Sequence, residues 1–201
     1  SHCLASALAP RVMAYLRRGP DAGSEAAAPG MPRIAVIVQE LVEADAAGVL
    51  FTVDPVRGHD DVTVIEAVLG LGEPLVSGRA AADLVRVNAA TGVVIERRTA
   101  DKKTALVSDG ARVVERALDD DAGRRAVLTD DEARTLTELG QHLQERLGYP
   151  VDVEWARARG SFVLLQARPI TAINFAADVG EWTTAAITDG GVSADVCTPF
   201  L

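Results

Sequence analysis

The chain has 201 residues, enough for one domain or for one domain with a tail. Its net charge of −9, with arginines scattered rather than clustered, excludes the basic patch that nucleic-acid binding needs, and no apolar run approaches the ~18 residues of a membrane-crossing helix. Hydrophobic residues make up 48% of the chain and aromatic ones only 4%, so a finely packed, sheet-rich core is expected; Cys3 and Cys197 lack metal-ligand spacing and suit reduced thiols in a cytoplasmic protein.

Leu4, Leu8, Val12 and Leu16 recur at helical spacing and predict a short helix, with Pro10 at a cap or a kink. Residues 19–30, rich in Gly and Ala, read as a connection. Apolar runs predict strands near 33–39, 48–53 and 62–68, then a strand pair at 84–88 and 93–97 turning at Ala90-Thr91-Gly92. Gly70-Leu71-Gly72-Glu73-Pro74 reads as a turn. Residues 99–127 are mixed, with weak strand signals at 104–107 and 112–115; Lys102 and Lys103 read as a solvated pair. Thr129-Asp130-Asp131-Glu132 has capping-box form. It opens a helix carrying Leu136, Leu139, Leu143 and Leu147 and stopping at Gly148-Tyr149-Pro150; His142 within it is a solvated or packing residue.

The helix leads into the most informative stretch of the chain. Val151-Asp152-Val153-Glu154-Trp155 and Phe162 to Thr171 both alternate apolar and polar residues, and the short segment 156–161 joins them as a hairpin. Residues two apart in a strand share a face, so Asp152 projects with Glu154 and Gln166 with Arg168. A turn centred near Gly160 sets Glu154 opposite Gln166 and Asp152 opposite Arg168. Hard oxygen ligands suit Mg²⁺ and a planar guanidinium suits phosphate, so this face reads as half of a metal–nucleotide site. Cross-strand acid–arginine pairs of this kind also occur on ordinary solvated sheets.

The wording of these segments resembles a known family. Asp152-Val153-Glu154-Trp155 with Leu164-Leu165-Gln166-Ala167-Arg168-Pro169-Ile170-Thr171 is similar to the end of the ATP-grasp domain of the phosphoenolpyruvate-utilising enzymes. That family includes phosphoenolpyruvate synthase, pyruvate phosphate dikinase and rifamycin phosphotransferase. Four more blocks resemble it in order: Ile34 to Val42, Ala47 to Val56, Val64-Ile65-Glu66-Ala67, and Gly70-Leu71-Gly72-Glu73 continuing to Val76-Ser77-Gly78. Five ordered blocks are far more specific than one short motif.

The resemblance implies an α+β fold, an ATP-grasp-type subdomain over residues 31–172 with a mainly antiparallel sheet and helices packed on one side. Residues 1–30 would then be an N-terminal helix and connection, and 173–201 a linker toward a further domain. It also implies roles. Gln39, at a strand end, corresponds to the adenine-binding edge. Glu154 and Gln166 correspond to positions that bind Mg²⁺ and the phosphates of ATP, and Arg168 to a phosphate-binding arginine that stabilises the transferring group. Asp152 either touches a second metal ion or holds Arg168 in place. Glu66, alone in an apolar strand, is either a nucleotide-ribose or metal contact or a buried acid paired with a local base.

Two parts of the family pattern are missing from the 201 residues. One is the first ATP-grasp half, with its lysine, second arginine and glycine loop; the other is the phosphohistidine domain. Ser1-His2 and His59 lack the context of a phosphorylated histidine. The expectation is therefore the carboxy-proximal, nucleotide-binding part of an ATP-dependent phosphotransferase, inactive alone, with its missing half and phosphohistidine domain as partners in cis or in trans. It would serve phosphate transfer from ATP through a histidine to pyruvate. The alternatives are a rifamycin phosphotransferase-like enzyme and a non-catalytic nucleotide-responsive module.

Overall fold

The computed structural model describes residues 37–110 and 112–170. Residues 37–41 fall in one compact unit and residues 42–170 in a second. The expected helix over 4–16, the connection over 19–30 and the linker over 173–201 lie outside the described residues, as does the first part of the strand expected at 33–39. The described part, residues 37–39, is irregular backbone, with Ile37 87% and Val38 95% exposed.

The larger unit is built on a six-stranded antiparallel sheet in the order β4-β3-β2-β1-β7-β8. Its strands are β1 (Ala46–Phe51), β2 (Val62–Leu69), β3 (Asp83–Asn88), β4 (Val94–Arg98), β7 (Val151–Ala158) and β8 (Ser161–Pro169). A separate two-stranded sheet joins β5 (Thr104–Ser108) to β6 (Val113–Ala117), confirming the two faint strand signals of the mixed region. Three helices complete the described residues: α1 (Glu73–Val76), α2 (Asp120–Arg124) and α3 (Asp130–Leu147). The architecture is α+β, mostly antiparallel sheet with few helices. Neither α1 nor α2 was expected. Pro74 sits in the first turn of α1, where its missing amide costs nothing, and Asp119 caps α2 by accepting from the amide of Ala122.

The helix α3 follows its sequence signals. Thr129 accepts from the amide of Glu132, whose carboxylate accepts from the Thr129 amide, and Gly148 ends the helix in the left-handed region at φ 81°. Its buried face differs from the expected leucine stripe. Ala133, Leu136, Thr137 and Gly140 are buried, whereas Leu139 and Leu147 reach solvent; His142 is exposed, as expected. Gly140 explains the shift. A Cβ there would lie 2.5 Å from Leu50 Cδ2, so the helix rests directly on β1 and its side chains flank that contact.

One face of the sheet supplies Leu50, Ile65, Val85, Val87, Val151, Val153 and Trp155 to the core, and Leu128, Ala133 and Leu136 pack on them. Phe162 meets Trp155 edge-to-face with ring centroids 5.6 Å apart. Polar anchors fix the far end. Thr52 accepts from the amide of Val151 and donates to Gln144, while the Gln141 amide donates to the Thr52 carbonyl. The C-terminal end of α3 thus ties the end of β1 to the start of β7. No helix among the described residues is long and apolar enough to cross a membrane.

Candidate functional site

The hairpin β7–β8 carries Asp152, Glu154, Gln166 and Arg168, the residues singled out from sequence. Its turn is tighter than the six-residue segment suggested: the strands continue to Ala158 and Ser161, leaving only Arg159 and Gly160 between them. Both have positive φ, 53° and 74°, the signature of a type I′ turn whose twist matches the strands it joins. The register then follows: Glu154 opposes Gln166 and Asp152 opposes Arg168. A bulge between Glu154 and Trp155 interrupts the ladder just beyond the Glu154 pair. Facing residues of an antiparallel pair point to one side, so all four project from the sheet face opposite α3.

Two cross-strand rows on that second face now become visible. The first runs Glu66–Val49–Glu154–Gln166 across β2, β1, β7 and β8. The second runs Glu96–Arg86–Val64–Phe51–Asp152–Arg168, from β4 to β8. Apolar Val49 and Phe51 occupy the middle positions and keep the acids of different strands apart.

Within the second row the charges are paired. Arg168 donates from Nε at 2.8 Å and from Nη2 at 2.5 Å to the same oxygen, Oδ2, of Asp152. Asp152 is buried, and burial pushes its carboxyl above the ordinary range; the Arg168 hydrogen bonds and charge offset only part of this. Of the two roles weighed for Asp152, the geometry displays the one in which it holds Arg168. At the other end Arg86 donates to Asp54 Oδ2 at 2.9 Å and to Glu96 at 2.9 Å. Asp54 Oδ1 also accepts from the amides of Val56 and Arg57, closing the loop after β1. Burial works to raise the Asp54 carboxyl, but these amides and Arg86 outweigh it and hold it below the usual range.

Within the first row the acids stand alone. Among the described residues neither Glu66 nor Glu154 has a hydrogen-bond or ion-pair partner. Glu154 is half-buried; burial first, and then the charge of Asp152, raise its carboxyl, with Arg168 pulling the other way. Burial likewise raises Glu66, and only the charge of Arg86 opposes it. Gln166 is exposed and Arg168 half-buried.

Gln39 is exposed on irregular backbone in the smaller unit. The solvated Lys102–Lys103 pair expected from sequence is half right. Lys103 is exposed and pairs with Asp101. Lys102 is 3% exposed and donates at 2.6 Å to Asp83, which also accepts from the amides of Ala100 and Val127. Sequence alone missed the Asp54–Arg86–Glu96 and Asp83–Lys102 pairs, because each joins strand and loop residues from separate parts of the chain that the folded sheet brings together. A cavity among the described residues lies away from the hairpin, between Leu69, Leu71, Arg79, Lys102, Thr104 and Glu115.

Cation binding can be weighed from the donors themselves. Among the described residues no three or more His, Cys, Asp or Glu side chains gather into a metal-holding cluster. The half-buried Glu154 carboxylate and the exposed Gln166 amide oxygen are hard donors, the set that suits a cation sharing its remaining positions with phosphates and water. The residues present fit Mg²⁺ held jointly with a nucleotide, not a closed protein cage.

Comparison with known proteins identifies an ATP-binding family. The family model described as pyruvate phosphate dikinase, AMP/ATP-binding domain, matches residues 1–186. A protein of Methanocaldococcus jannaschii described as a probable phosphoenolpyruvate synthase is 43% identical over 143 residues, covering 70% of this chain and 12% of that protein. The rifampicin phosphotransferase of Bacillus subtilis is 38% identical over 142 residues, covering 70% of this chain and 16% of its own length. That of Streptomyces sviceus is 38% identical over 177 residues, 86% of this chain and 19% of its own. The chain therefore spans under a fifth of the length of each of these three relatives.

Proposed function

The chain belongs to the pyruvate phosphate dikinase AMP/ATP-binding family, and on that premise we propose that the β7–β8 hairpin holds Mg²⁺ and the phosphates of ATP for an ATP-dependent phosphotransferase. The observation that carries the reading is the unpartnered Glu154 carboxylate opposite Gln166, one row from a guanidinium aimed by Asp152. Glu154 and Gln166 would hold the cation, with Gln166 adding an oxygen without adding charge. Bound there, Mg²⁺ would supply positive charge that neutralises the phosphate oxygens and so eases attack of a nucleophile at phosphorus. Arg168 binds phosphate oxygens and opposes the charge that grows on the transferring group. Asp152 fixes the direction of that guanidinium before ligand arrives. Gln39 reads the adenine edge, since an amide offers both a donor and an acceptor.

In the complete enzyme we assign this chain to an ATP-grasp-type domain that phosphorylates a histidine of another domain, for transfer to pyruvate as in phosphoenolpyruvate synthase. The rifampicin phosphotransferases among the relatives support a drug hydroxyl as the alternative acceptor. Calorimetric titration of the chain with Mg·ATP tests the site. Glu154→Ala and Arg168→Ala should each weaken binding roughly tenfold or more, the loss of a charge-assisted contact. Binding indifferent to both substitutions, or no binding at all, removes the hairpin from the nucleotide site.

A further inference from the structure

We propose that Glu66 is the group of this site that accepts hydrogen bonds from the ribose hydroxyls of the nucleotide; the inference rests on the nucleotide reading above and deepens it. Glu66 is the sole charged residue of β2 and lies in the same cross-strand row as Glu154 and Gln166, on the same face. It is half-buried between Val64 and Val68, both buried, with no partner among the described residues. An acid kept in such surroundings without a partner costs the fold stability. Other acids of this unit that are drawn from water have been given cations: Asp54 has Arg86, Asp83 has Lys102 and Asp152 has Arg168. Glu66 and Glu154 are the exceptions; Glu154 is assigned to the cation, and Glu66 is left with a partner that arrives with the ligand.

The chemistry of that partner is restricted. Phosphate oxygens are acceptors and repel a carboxylate. A second cation needs more donors than Glu66 has nearby, since the described residues contain no metal-holding cluster. Neutral donors remain, and on a nucleotide these are the ribose hydroxyls and the base amine. Glu66 stands two strand spacings from Glu154, roughly 10 Å. With Glu154 and Arg168 at the phosphates, that displacement falls on the sugar. A carboxylate can accept from two vicinal hydroxyls at once, whereas the amine lies beyond the sugar.

Titration of the chain with Mg·ATP, Mg·2′,3′-dideoxy-ATP and Mg·tripolyphosphate separates the cases. Glu66→Ala should weaken Mg·ATP about tenfold, leave Mg·tripolyphosphate unchanged and abolish the preference for ATP over its dideoxy analogue. Glu66→Gln, which keeps one acceptor and the shape, should lose less affinity and melt higher than the parent. Equal weakening of tripolyphosphate would move Glu66 to the phosphate end and overturn the proposal. So would a dideoxy preference that survives Glu66→Ala, or a Glu66→Gln variant that melts lower. If the parent chain binds neither ATP nor tripolyphosphate, the nucleotide reading falls and takes Glu66 with it; if it binds both and Glu66→Ala changes nothing, only the ribose contact falls.

Discussion

Asp152 and Arg168 face each other across β7 and β8, and two guanidinium nitrogens converge on a single carboxylate oxygen, Oδ2. The pair is asymmetric: the acid side chain is 8% exposed and the guanidinium 33%. Asp152 is therefore the fixed part and Arg168 the part that can still reach a ligand.

This asymmetry predicts a coupled effect. Asp152→Asn should weaken Mg·ATP several-fold by releasing Arg168, and the same substitution in an Arg168→Ala background should add almost nothing. A double-mutant cycle by calorimetry measures this directly. If Asp152 ligated a cation instead, its loss would persist at full size without Arg168.

The second prediction concerns pH. Glu154 and Glu66 have carboxyls raised by burial, so the folded state binds their protons more tightly than the unfolded chain does. Stability from these groups is present at low pH and lost as pH rises from the ordinary glutamate value through the raised one. Glu154→Gln should thus raise the melting temperature at neutral pH, and the gain should vanish in acid. Asp54, whose carboxyl is lowered, runs the other way: its contribution is present above the ordinary aspartate value and lost as pH falls through the lower one. Asp54→Asn should destabilise at neutral pH and converge on the parent in acid. Melting curves across pH for both variants check the two signs.

Much of this site was legible in the sequence because its determinants are local. Period-two alternation and Gly160 were enough to place Glu154 against Gln166 and Asp152 against Arg168, and a Thr–Glu box with a terminal Gly bounded α3. What stayed hidden depends on sheet order. The row joining Glu66 to Glu154 exists because β1 lies between β2 and β7, strands nearly ninety residues apart in the chain. Lys102 reads as solvated beside Lys103 until Asp83 is brought to it from β3. The leucine stripe of α3 misled because Gly140, not a large side chain, makes the closest approach to the sheet.

Close approach also governs Gly48, in the middle of β1. A Cβ there would run into the Glu66 carbonyl oxygen and lie 2.6 Å from Trp155 Cζ2, with Trp155 itself 1% exposed. The ring lies over the bare backbone, and neither β2 nor the ring has room to withdraw. Gly48→Ala should cost about 1–3 kcal/mol, the usual price of overpacking, seen as a shift of the denaturation midpoint. Because the strain falls on the backbone of Glu66, the variant should also bind Mg·ATP more weakly. A stability loss below a few tenths of a kcal/mol would mean that β1 and β7 do not pack as closely as described.

The turn supplies the last test, since the face shared by Glu154, Gln166, Asp152 and Arg168 depends on its length and type. Arg159 adopts φ 53°, a left-handed conformation that a long side chain with a Cβ occupies at a cost. Asparagine tolerates that region better, and Asn-Gly is the favoured pair for a type I′ turn. Arg159→Asn should stabilise the fold by up to about 1 kcal/mol and leave Mg·ATP affinity unchanged. Inserting one residue after Gly160 should do the opposite. A one-residue slip carries Gln166 and Arg168 to the face that packs on α3, so both stability and nucleotide binding should fall together. Denaturation and calorimetry on the two variants would separate a hairpin held by its turn from one held by packing alone: in the latter case the insertion would bulge outward and leave both measurements close to the parent.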